Sequence, residues 1–159
     1  RNVNVQVALS KSVSSLGVSR EGTHLILAGK QGLYLSDLEK PGKITKTLTV
    51  PNLSSRSSQC IVQWNPHASN HSCVVSSNGK IIYLWDVDGR SGRSILSTIE
   101  SHSRAIQGLC WSPQNPNLFA SCSNDTYINV WDTRQPRSVS KFKTFCSWTV
   151  GASDVKWNR

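Results

Sequence analysis

The sequence predicts an all-β fold that repeats one four-stranded antiparallel sheet about every 46 residues. The first marker of the repeat is a tryptophan at the end of a short apolar segment, and it recurs at Trp64, Trp111 and Trp157. The second marker is a Trp-Asp pair, and it recurs at Trp85-Asp86 and Trp131-Asp132. Two markers in the same register indicate a true repeat, and this period is typical of the blades of a β-propeller.

The repeat divides the chain into blade units at about residues 11–56, 57–100 and 101–147, and a fourth unit begins at 148–159. Alternating apolar residues separated by turn residues predict four strands in the second and third units. These strands are 61–64, 73–77, 81–85 and 94–99 in the second unit, and 106–111, 118–123, 127–131 and 138–145 in the third. The first unit is weaker, because residues 16–19 and 34–38 hold the marker positions without either tryptophan.

One hairpin can be assigned a turn type from the sequence. The Asn78-Gly79 pair stands between two predicted strands, and both central positions of a type I′ turn require positive φ. The length of the chain then limits the architecture, since 159 residues supply about three and a half blades and closed propellers have four to eight. We therefore expect a partial propeller, either a fragment of a longer protein or a ring that a partner completes.

The composition is basic, with 18 Lys and Arg against 9 Asp and Glu and a formal charge of +9. No two basic residues are adjacent, so the sequence contains no polybasic run. The residues that could form a basic rim are Arg134, Arg137, Lys141 and Lys143. Such a rim could bind nucleic acid, histone tails or phosphoinositides, and the alternative is an ordinary solvated surface.

The cysteines indicate a reducing compartment, because they are odd in number and contain no C-x-x-C pair. They are Cys60, Cys73, Cys110, Cys122 and Cys146. No apolar run approaches the roughly 18 residues of a membrane span, and no signal-type segment opens the chain. We expect a cytosolic or nuclear protein without a transmembrane segment, although the chain begins with Arg1 and a targeting segment could precede it.

The third unit contains the residue types of a hydrolase triad, His102, Ser121 and Asp125. Their order along the unit favours a different role. His102 precedes the first strand, Ser121 lies in the second strand, Asp125 lies in the following turn and Trp131 lies in the third strand. We interpret these four residues as a structural hydrogen-bond relay within the sheet. No G-x-S-x-G motif supports a nucleophile, and we expect no enzyme activity. We expect no such set in the second unit, since Val75 and Gly79 occupy the places of Ser121 and Asp125.

A second cluster, Cys60, His67, His71 and Cys73, contains possible zinc ligands. The two thiols are 13 residues apart and flank predicted strands, and the histidines lie in a polar loop, so we expect a solvated loop and no metal site. Phosphate-binding and dinucleotide motifs are absent from the sequence, and we expect no cofactor. Trp148 lies outside both markers, and the sequence allows either a buried anchor or an exposed contact.

Several strings resemble those of the WD-repeat family and, within it, those of its members in the larger GATOR complex. They are residues 27–29, 62–67, 125–132 and 151–158. The resemblance implies a propeller-bearing subunit of the larger GATOR complex, which promotes amino-acid-dependent signalling by the TOR kinase complex at the lysosome. It also implies a non-catalytic scaffold whose partners are other propeller and α-solenoid subunits. The zinc-binding RING-type segment of the family cannot be transferred to any residue of this sequence.

Overall fold

The computed structural model describes residues 12–29, 31–40, 42–50, 60–89, 92–100, 102–135, 137–144 and 151–158. The described residues form twelve β-strands and one turn of 3-10 helix, Ala68–Asn70. The strands assemble into three separate four-stranded antiparallel sheets. Trp148, which the sequence allows to be either buried or exposed, lies outside the described residues, as do Cys146 and residues 1–11.

Each sheet is a meander in which neighbouring strands follow one another along the chain. Blade 1 contains β1 (Val13–Val18), β2 (His24–Gly29), β3 (Gly32–Asp37) and β4 (Ile44–Thr49). Blade 2 contains β5 (Cys60–Trp64), β6 (Cys73–Asn78), β7 (Ile81–Asp86) and β8 (Ile95–Glu100). Blade 3 contains β9 (Ile106–Trp111), β10 (Leu118–Ser123), β11 (Tyr127–Asp132) and β12 (Ser138–Lys143). The strands expected in the second and third units agree with these bounds to within about two residues.

The sheets follow one another like the blades of a propeller. The first strand of each blade packs against the first strand of the next, β1 against β5 and β5 against β9. The fourth strands β4, β8 and β12 lie at the opposite edge of each sheet. The all-β fold class predicted from the sequence, a partial propeller of four-stranded blades, is confirmed.

The hydrophobic core lies between the blades. One cluster joins blades 1 and 2 and includes Ile26, Val62 and Val74, and a second joins blades 2 and 3 and includes Val75 and Phe119. Successive residues of a strand point to opposite faces of the sheet, so Val74 and Val75 enter different clusters. A blade with a neighbour on both faces buries both faces of its inner strands, which explains why β6 and β7 are buried along almost their whole length.

The hairpin between β6 and β7 differs from the predicted type. Asn78 pairs with Ile81 and belongs to β6, so the two central turn residues are Gly79 and Lys80. Gly79 has a φ of 60°, and among the described non-glycine residues only Thr126 has positive φ. Positive φ at the first central position alone corresponds to a type II′ hairpin, so the type I′ assignment was wrong. The strand extends one residue further than the Asn-Gly signal indicated.

Candidate functional site

Four residues of blade 3 form a continuous chain of side-chain hydrogen bonds. The Trp131 indole Nε1 donates to Ser121 Oγ over 2.8 Å, and Ser121 Oγ lies 2.8 Å from His102 Nε2. On the other side of the imidazole ring, His102 Nδ1 lies 2.9 Å from Asp125 Oδ2. These hydrogen bonds thus connect β11, β10, the loop before β9 and the β10–β11 turn, which are the positions predicted for the four residues.

The environment of His102 fixes how the protons are arranged. Burial lowers the pKa of His102 below its usual value of 6.5, and the favourable contact with Asp125 offsets this only in part. A neutral ring that donates from Nδ1 to the Asp125 carboxylate leaves Nε2 as an acceptor. The Ser121 hydroxyl then donates to Nε2 and accepts from the Trp131 indole, so every polar atom along this chain is satisfied.

Asp125 is held in its turn by main-chain donors as well as by the histidine. The N–H groups of Ser103 and Tyr127 both donate to its carboxylate, over 3.0 Å each. Burial tends to raise the pKa of Asp125, but these hydrogen bonds and His102 outweigh it, so the pKa lies below the usual 3.8. The carboxylate stays ionised and ties the loop before β9 to the turn after β10.

The same geometry has the donor order of a Ser-His-Asp triad, so access to the serine decides what the arrangement can do chemically. Ser121 has 0% of its surface exposed, and the His102 side chain is likewise fully covered. The Ser121 hydroxyl also receives the Trp131 indole N–H. Ser121 Oγ is therefore not accessible to a substrate carbonyl in this arrangement, and its hydrogen bonds join groups within the sheet.

Blade 2 contains part of the same arrangement, which the sequence alignment missed. The Trp85 indole Nε1 donates to Ser76 Oγ over 2.8 Å, as Trp131 does to Ser121 in blade 3. The prediction that Val75 takes the place of Ser121 was therefore wrong. The β6–β7 turn has two residues and the β10–β11 turn has three, so the second strands are offset by 45 residues while the third strands are offset by 46. Ser76 and not Val75 faces the tryptophan.

The first tryptophan of the repeat connects neighbouring blades. Trp111 Nε1 donates over 3.1 Å to the carbonyl of Gln63, which precedes the matching tryptophan of blade 2. Trp157 Nε1 donates over 3.1 Å to the carbonyl of Cys110 in the same way. Trp64 differs, because its indole donates to the His71 carbonyl of its own blade. The marker tryptophans Trp111 and Trp157 thus hold each blade against the one before it.

The aspartate of the Trp-Asp pair closes the end of the third strand. Asp86 Oδ1 accepts the N–H of Asp88, and Asp132 Oδ1 accepts the N–H of Arg134, both two residues ahead. Asp37 of blade 1 makes the same contact with Glu39, although its blade lacks the tryptophan. Such an Asx turn satisfies a main-chain donor where the strand ends, which gives the aspartate a local reason to recur.

The four residues of the expected basic rim have different surroundings. Arg134 bonds Asp132 through Nε at 2.9 Å and through a terminal nitrogen at 2.6 Å. The side-chain hydrogen bonds from Arg134 lower the pKa of Asp132 to about 2. Arg137 is exposed just before β12, and Lys141 and Lys143 are exposed on β12 itself. The structure therefore brings Lys141 and Lys143 together on one strand, whereas Arg134 is held by its own aspartate.

The candidate zinc cluster is dispersed in the structure. Cys60 and Cys73 each begin one of two antiparallel strands and so lie at opposite ends of the pair. His67 Nε2 lies 2.8 Å from the carbonyl of Ser112 in blade 3, so its loop contacts the next blade and is not simply solvated. Among the described residues, no three His, Cys, Asp or Glu side chains are grouped so that they could hold a metal ion.

The four described cysteines are free thiols. Cys60, Cys73 and Cys122 are buried, while Cys110 is half-buried. Burial, assisted by the nearby Asp86, raises the pKa of Cys73 to about 12. Burial also raises the pKa of Cys122, to about 11. These thiols remain protonated at neutral pH and act as small core residues. Within the described ranges, no helix has the length and apolar character needed to cross a membrane.

Comparison with known proteins agrees with this architecture. The family model described as WD domain, G-beta repeat matches residues 93–132. A WD repeat-containing protein of Dictyostelium discoideum is 35% identical over 156 residues, which are 98% of this chain and 8% of that protein. Maintenance of telomere capping protein 5 of Saccharomyces cerevisiae is 33% identical over 148 residues, 91% of this chain and 12% of that protein.

The human GATOR2 complex protein WDR59 is 34% identical over 161 residues, which cover 99% of this chain and 15% of that protein. The chain thus spans only a small part of the curated relatives it matches. The similarity nevertheless runs over nearly the whole chain. It coincides with three meander sheets in which the aspartate at the end of the third strand makes the same turn contact each time, and with the matching bonds of Trp111 and Trp157 to the preceding blade. The chain therefore belongs to the WD-repeat proteins, and its three sheets form part of a β-propeller.

Proposed function

We propose that this chain is part of a scaffold subunit of a GATOR2-like complex, without catalytic activity of its own. The observation that carries the proposal is the 34% identity to GATOR2 complex protein WDR59 over 99% of the chain. By this likeness its partners are other propeller and α-solenoid subunits. The subunit is cytoplasmic and reaches the lysosomal membrane through those partners, where the complex promotes amino-acid-dependent TOR kinase signalling.

The buried hydrogen bonds support a structural rather than a catalytic role. We propose that His102, Ser121, Asp125 and Trp131 act as a relay that holds the loop before β9, the β10–β11 turn and the third strand together. Ser121 is inaccessible, and its hydroxyl is engaged on both sides. A buried polar network of this kind stabilises one arrangement of the sheet when every member is satisfied.

Contacts between blades support the scaffold role, because they fix the loops at the rim relative to one another. His67 and the Asn65 amide of blade 2 reach carbonyls of Ser112 and Pro116 in blade 3, at 2.8 Å each. Lys46 of blade 1 donates over 2.7 Å to the carbonyl of Val87 in blade 2. Binding surfaces on a rigid framework need less ordering on association, which favours interaction with large partners.

Co-purification of the full-length protein tests the scaffold proposal. The tagged protein should bring down other propeller and α-solenoid subunits and should be recovered with lysosomes, and its depletion should reduce TOR substrate phosphorylation when amino acids are restored. An unrelated WD-repeat protein with the same tag and expression level serves as the control. Recovery of no propeller or solenoid subunit, with the protein folded and soluble, would overturn the assignment.

A second candidate function is a reader that binds nucleic acid, histone tails or phosphoinositides through the basic rim. The exposed ammonium groups of Lys141 and Lys143 on β12 favour it. Affinity for nucleic acid should then fall steeply with salt, because each neutralised phosphate releases counterions. Lys141→Ala should reduce both the affinity and the salt dependence, whereas Arg134→Ala should change them less, since Arg134 is bound to Asp132.

A further inference from the structure

The fourth strand of each blade has an outer edge that no described strand covers, so the three edges can be compared at matching positions. Two positions face outward at the same register in all three blades: Thr47 and Thr49 in β4, Thr98 and Glu100 in β8, and Lys141 and Lys143 in β12. All six residues are exposed. The edge is therefore neutral in blade 1, carries one acid in blade 2 and is basic in blade 3.

The two lysines of β12 have no carboxylate partner among the described residues. Lys141 Nζ lies 4.2 Å from the centre of the Tyr127 ring, which orients the ammonium group without neutralising it. No ion pair joins Lys141 or Lys143 to a carboxylate within the described ranges. By contrast, the ammonium group of Lys46 in blade 1 donates a hydrogen bond to the Val87 carbonyl of blade 2. The positive charge on β12 is available for a partner.

The main chain of β12 also presents donors and acceptors at this edge. The Thr144 N–H donates to the carbonyl of Thr126, just beyond the ladder between β11 and β12. Hydrogen-bonded and non-hydrogen-bonded pairs alternate along an antiparallel ladder. By this alternation, Lys141 and Lys143 form non-hydrogen-bonded pairs with Asn129 and Tyr127. The main-chain groups of the two lysines therefore point away from β11. The N–H and C=O groups of both lysines thus lie at the free edge.

The exposed Phe142 belongs to a different surface. It points to the opposite face of β12 from the lysines, because side chains alternate along a strand. Its counterpart in blade 2, Ile99, is buried in the core between blades 2 and 3. The face that carries Phe142 is therefore the one that a following blade covers. Val139, with 52% of its surface exposed, lies where the register between β11 and β12 shifts.

We propose that the free edge of β12 binds an extended acidic segment of a partner protein, which adds a strand to blade 3. The partner's carboxylates would contact Lys141 and Lys143 on one face, and its main chain would pair with theirs. The charge of the edge selects this occupant over a neutral strand. This inference rests on the proposed scaffold function, for which it names the chemistry of one partner.

A protein strand suits the edge better than a nucleic acid does. The main-chain groups of Lys141 and Lys143 offer acceptors as well as donors, and a peptide supplies both complements. Phosphate oxygens only accept hydrogen bonds, so a nucleic acid bound through its phosphates would contact the lysines and the N–H groups of this edge but not its carbonyl groups. Two lysines on one strand also provide few phosphate contacts for a nucleic-acid site.

A binding titration on the full-length protein tests the inference. The probe is a fluorescent eight-residue peptide in which Glu alternates with Thr, and its counterparts carry Gln in place of Glu or N-methyl groups on the amides that would donate to β12. The Glu peptide should bind saturably. Removal of its charge, N-methylation, or the double substitution Lys141→Glu with Lys143→Glu should each weaken binding about tenfold or more. The matched control Thr98→Glu on β8 should leave binding unchanged.

The other outcomes overturn the inference. Binding of the Glu peptide that N-methylation does not affect would show that no strand is added. Binding equal in the double lysine variant would place the peptide elsewhere. If single-stranded DNA or phosphatidylserine vesicles bind through the lysines and the peptide does not, the edge serves another class of partner. The peptide result is independent of co-purification, so failure of this inference and failure of the scaffold assignment remain distinguishable.

Discussion

Replacing the buried serine opposite the Trp-Asp tryptophan should cost more stability in blade 3 than in blade 2. Ser121→Ala removes the acceptor of the Trp131 indole and the donor to His102 Nε2, whereas Ser76→Ala removes only the acceptor of the Trp85 indole. Both serines are almost fully buried, at 0% and 4% exposure. Both variants therefore lose one buried hydroxyl group, and the difference between their free energies of unfolding measures the contribution of the hydrogen bond to His102.

The magnitude follows from the number of polar groups that each variant strands. A buried donor or acceptor without a partner costs about 1–3 kcal/mol. Ser76→Ala strands one group and should destabilise by about 1.5 kcal/mol, while Ser121→Ala strands two and should destabilise by about 3 kcal/mol. The Asn129 amide, 3.4 Å from His102 Nε2, can recover part of the second loss. We therefore expect a difference of about 1–2 kcal/mol between the variants.

Hydrogen–deuterium exchange of the full-length proteins measures this difference where it arises. For each variant, the acceleration of amide exchange over wild type is measured in its own blade: β10 and β11 for Ser121→Ala, β6 and β7 for Ser76→Ala. The acceleration should be about tenfold greater in Ser121→Ala, since about 1.4 kcal/mol corresponds to a factor of ten. Peptides from β1 and β2 serve as an internal reference. Equal acceleration in the two blades, or greater acceleration in blade 2, would refute the idea that His102 depends on Ser121.

The burial that lowers the pKa of His102 makes unfolding depend on pH: the folded protein holds the neutral ring, so stability should fall as the pH drops below about 6.5. His102→Gln should flatten this fall between pH 7.5 and 5.5 in thermal melts, and an unchanged profile would rule out His102 as its source. Trp111→Phe should remove the indole hydrogen bond to the Gln63 carbonyl of blade 2 and cost about 1 kcal/mol; exchange of β5 and β9 amides should rise, whereas Trp64→Phe should leave that hydrogen bond intact, since the Trp64 indole donates within its own blade. Gly32→Ala should destabilise by more than about 2 kcal/mol, because its Cβ would lie 2.1 Å from the Leu48 carbonyl oxygen, while a Cβ at Gly22 meets nothing within 4 Å. Similar melting temperatures for the two glycine variants would contradict that clash.

Segment 151–158 packs on blade 3 as the first strand of one blade packs on the blade before it. Segment 151–158 already packs against β9, where a Cβ on Gly108 would meet the Val155 nitrogen at 3.1 Å and Asp154 Cα at 3.2 Å. The Ala152 N–H donates to the Ser123 carbonyl over 3.1 Å. The segment thus occupies the side of blade 3 that blade 3 itself occupies on blade 2. Glycine at position 108 permits this close approach of two main chains.

The fold and most of the buried site were predictable from particular residues of the sequence. Trp64, Trp111 and Trp157 revealed the period, because each sheet packs against a copy of itself and so requires the same large side chain at the same depth. The alternation of apolar residues located the strands, since a strand with one buried face repeats every two residues. The order of His102, Ser121 and Asp125 placed them at the positions where the structure joins them.

Other features depended on the tertiary structure because they follow from contacts between strands and blades. A difference of one residue in turn length moves the strand register by one and exchanges the two faces of a strand, so the sequence aligned Val75 where the fold uses Ser76. The indoles of Trp111 and Trp157 donate to carbonyls 48 and 47 residues away, and main-chain acceptors leave no trace in side-chain patterns. The sequence also treated Arg134 and Lys141 as one rim, whereas only the folded turn binds Arg134 to Asp132 and leaves Lys141 exposed. The periodicity of the sequence therefore determined the blades, and the packing of strands and blades in the fold decided which polar groups form hydrogen bonds.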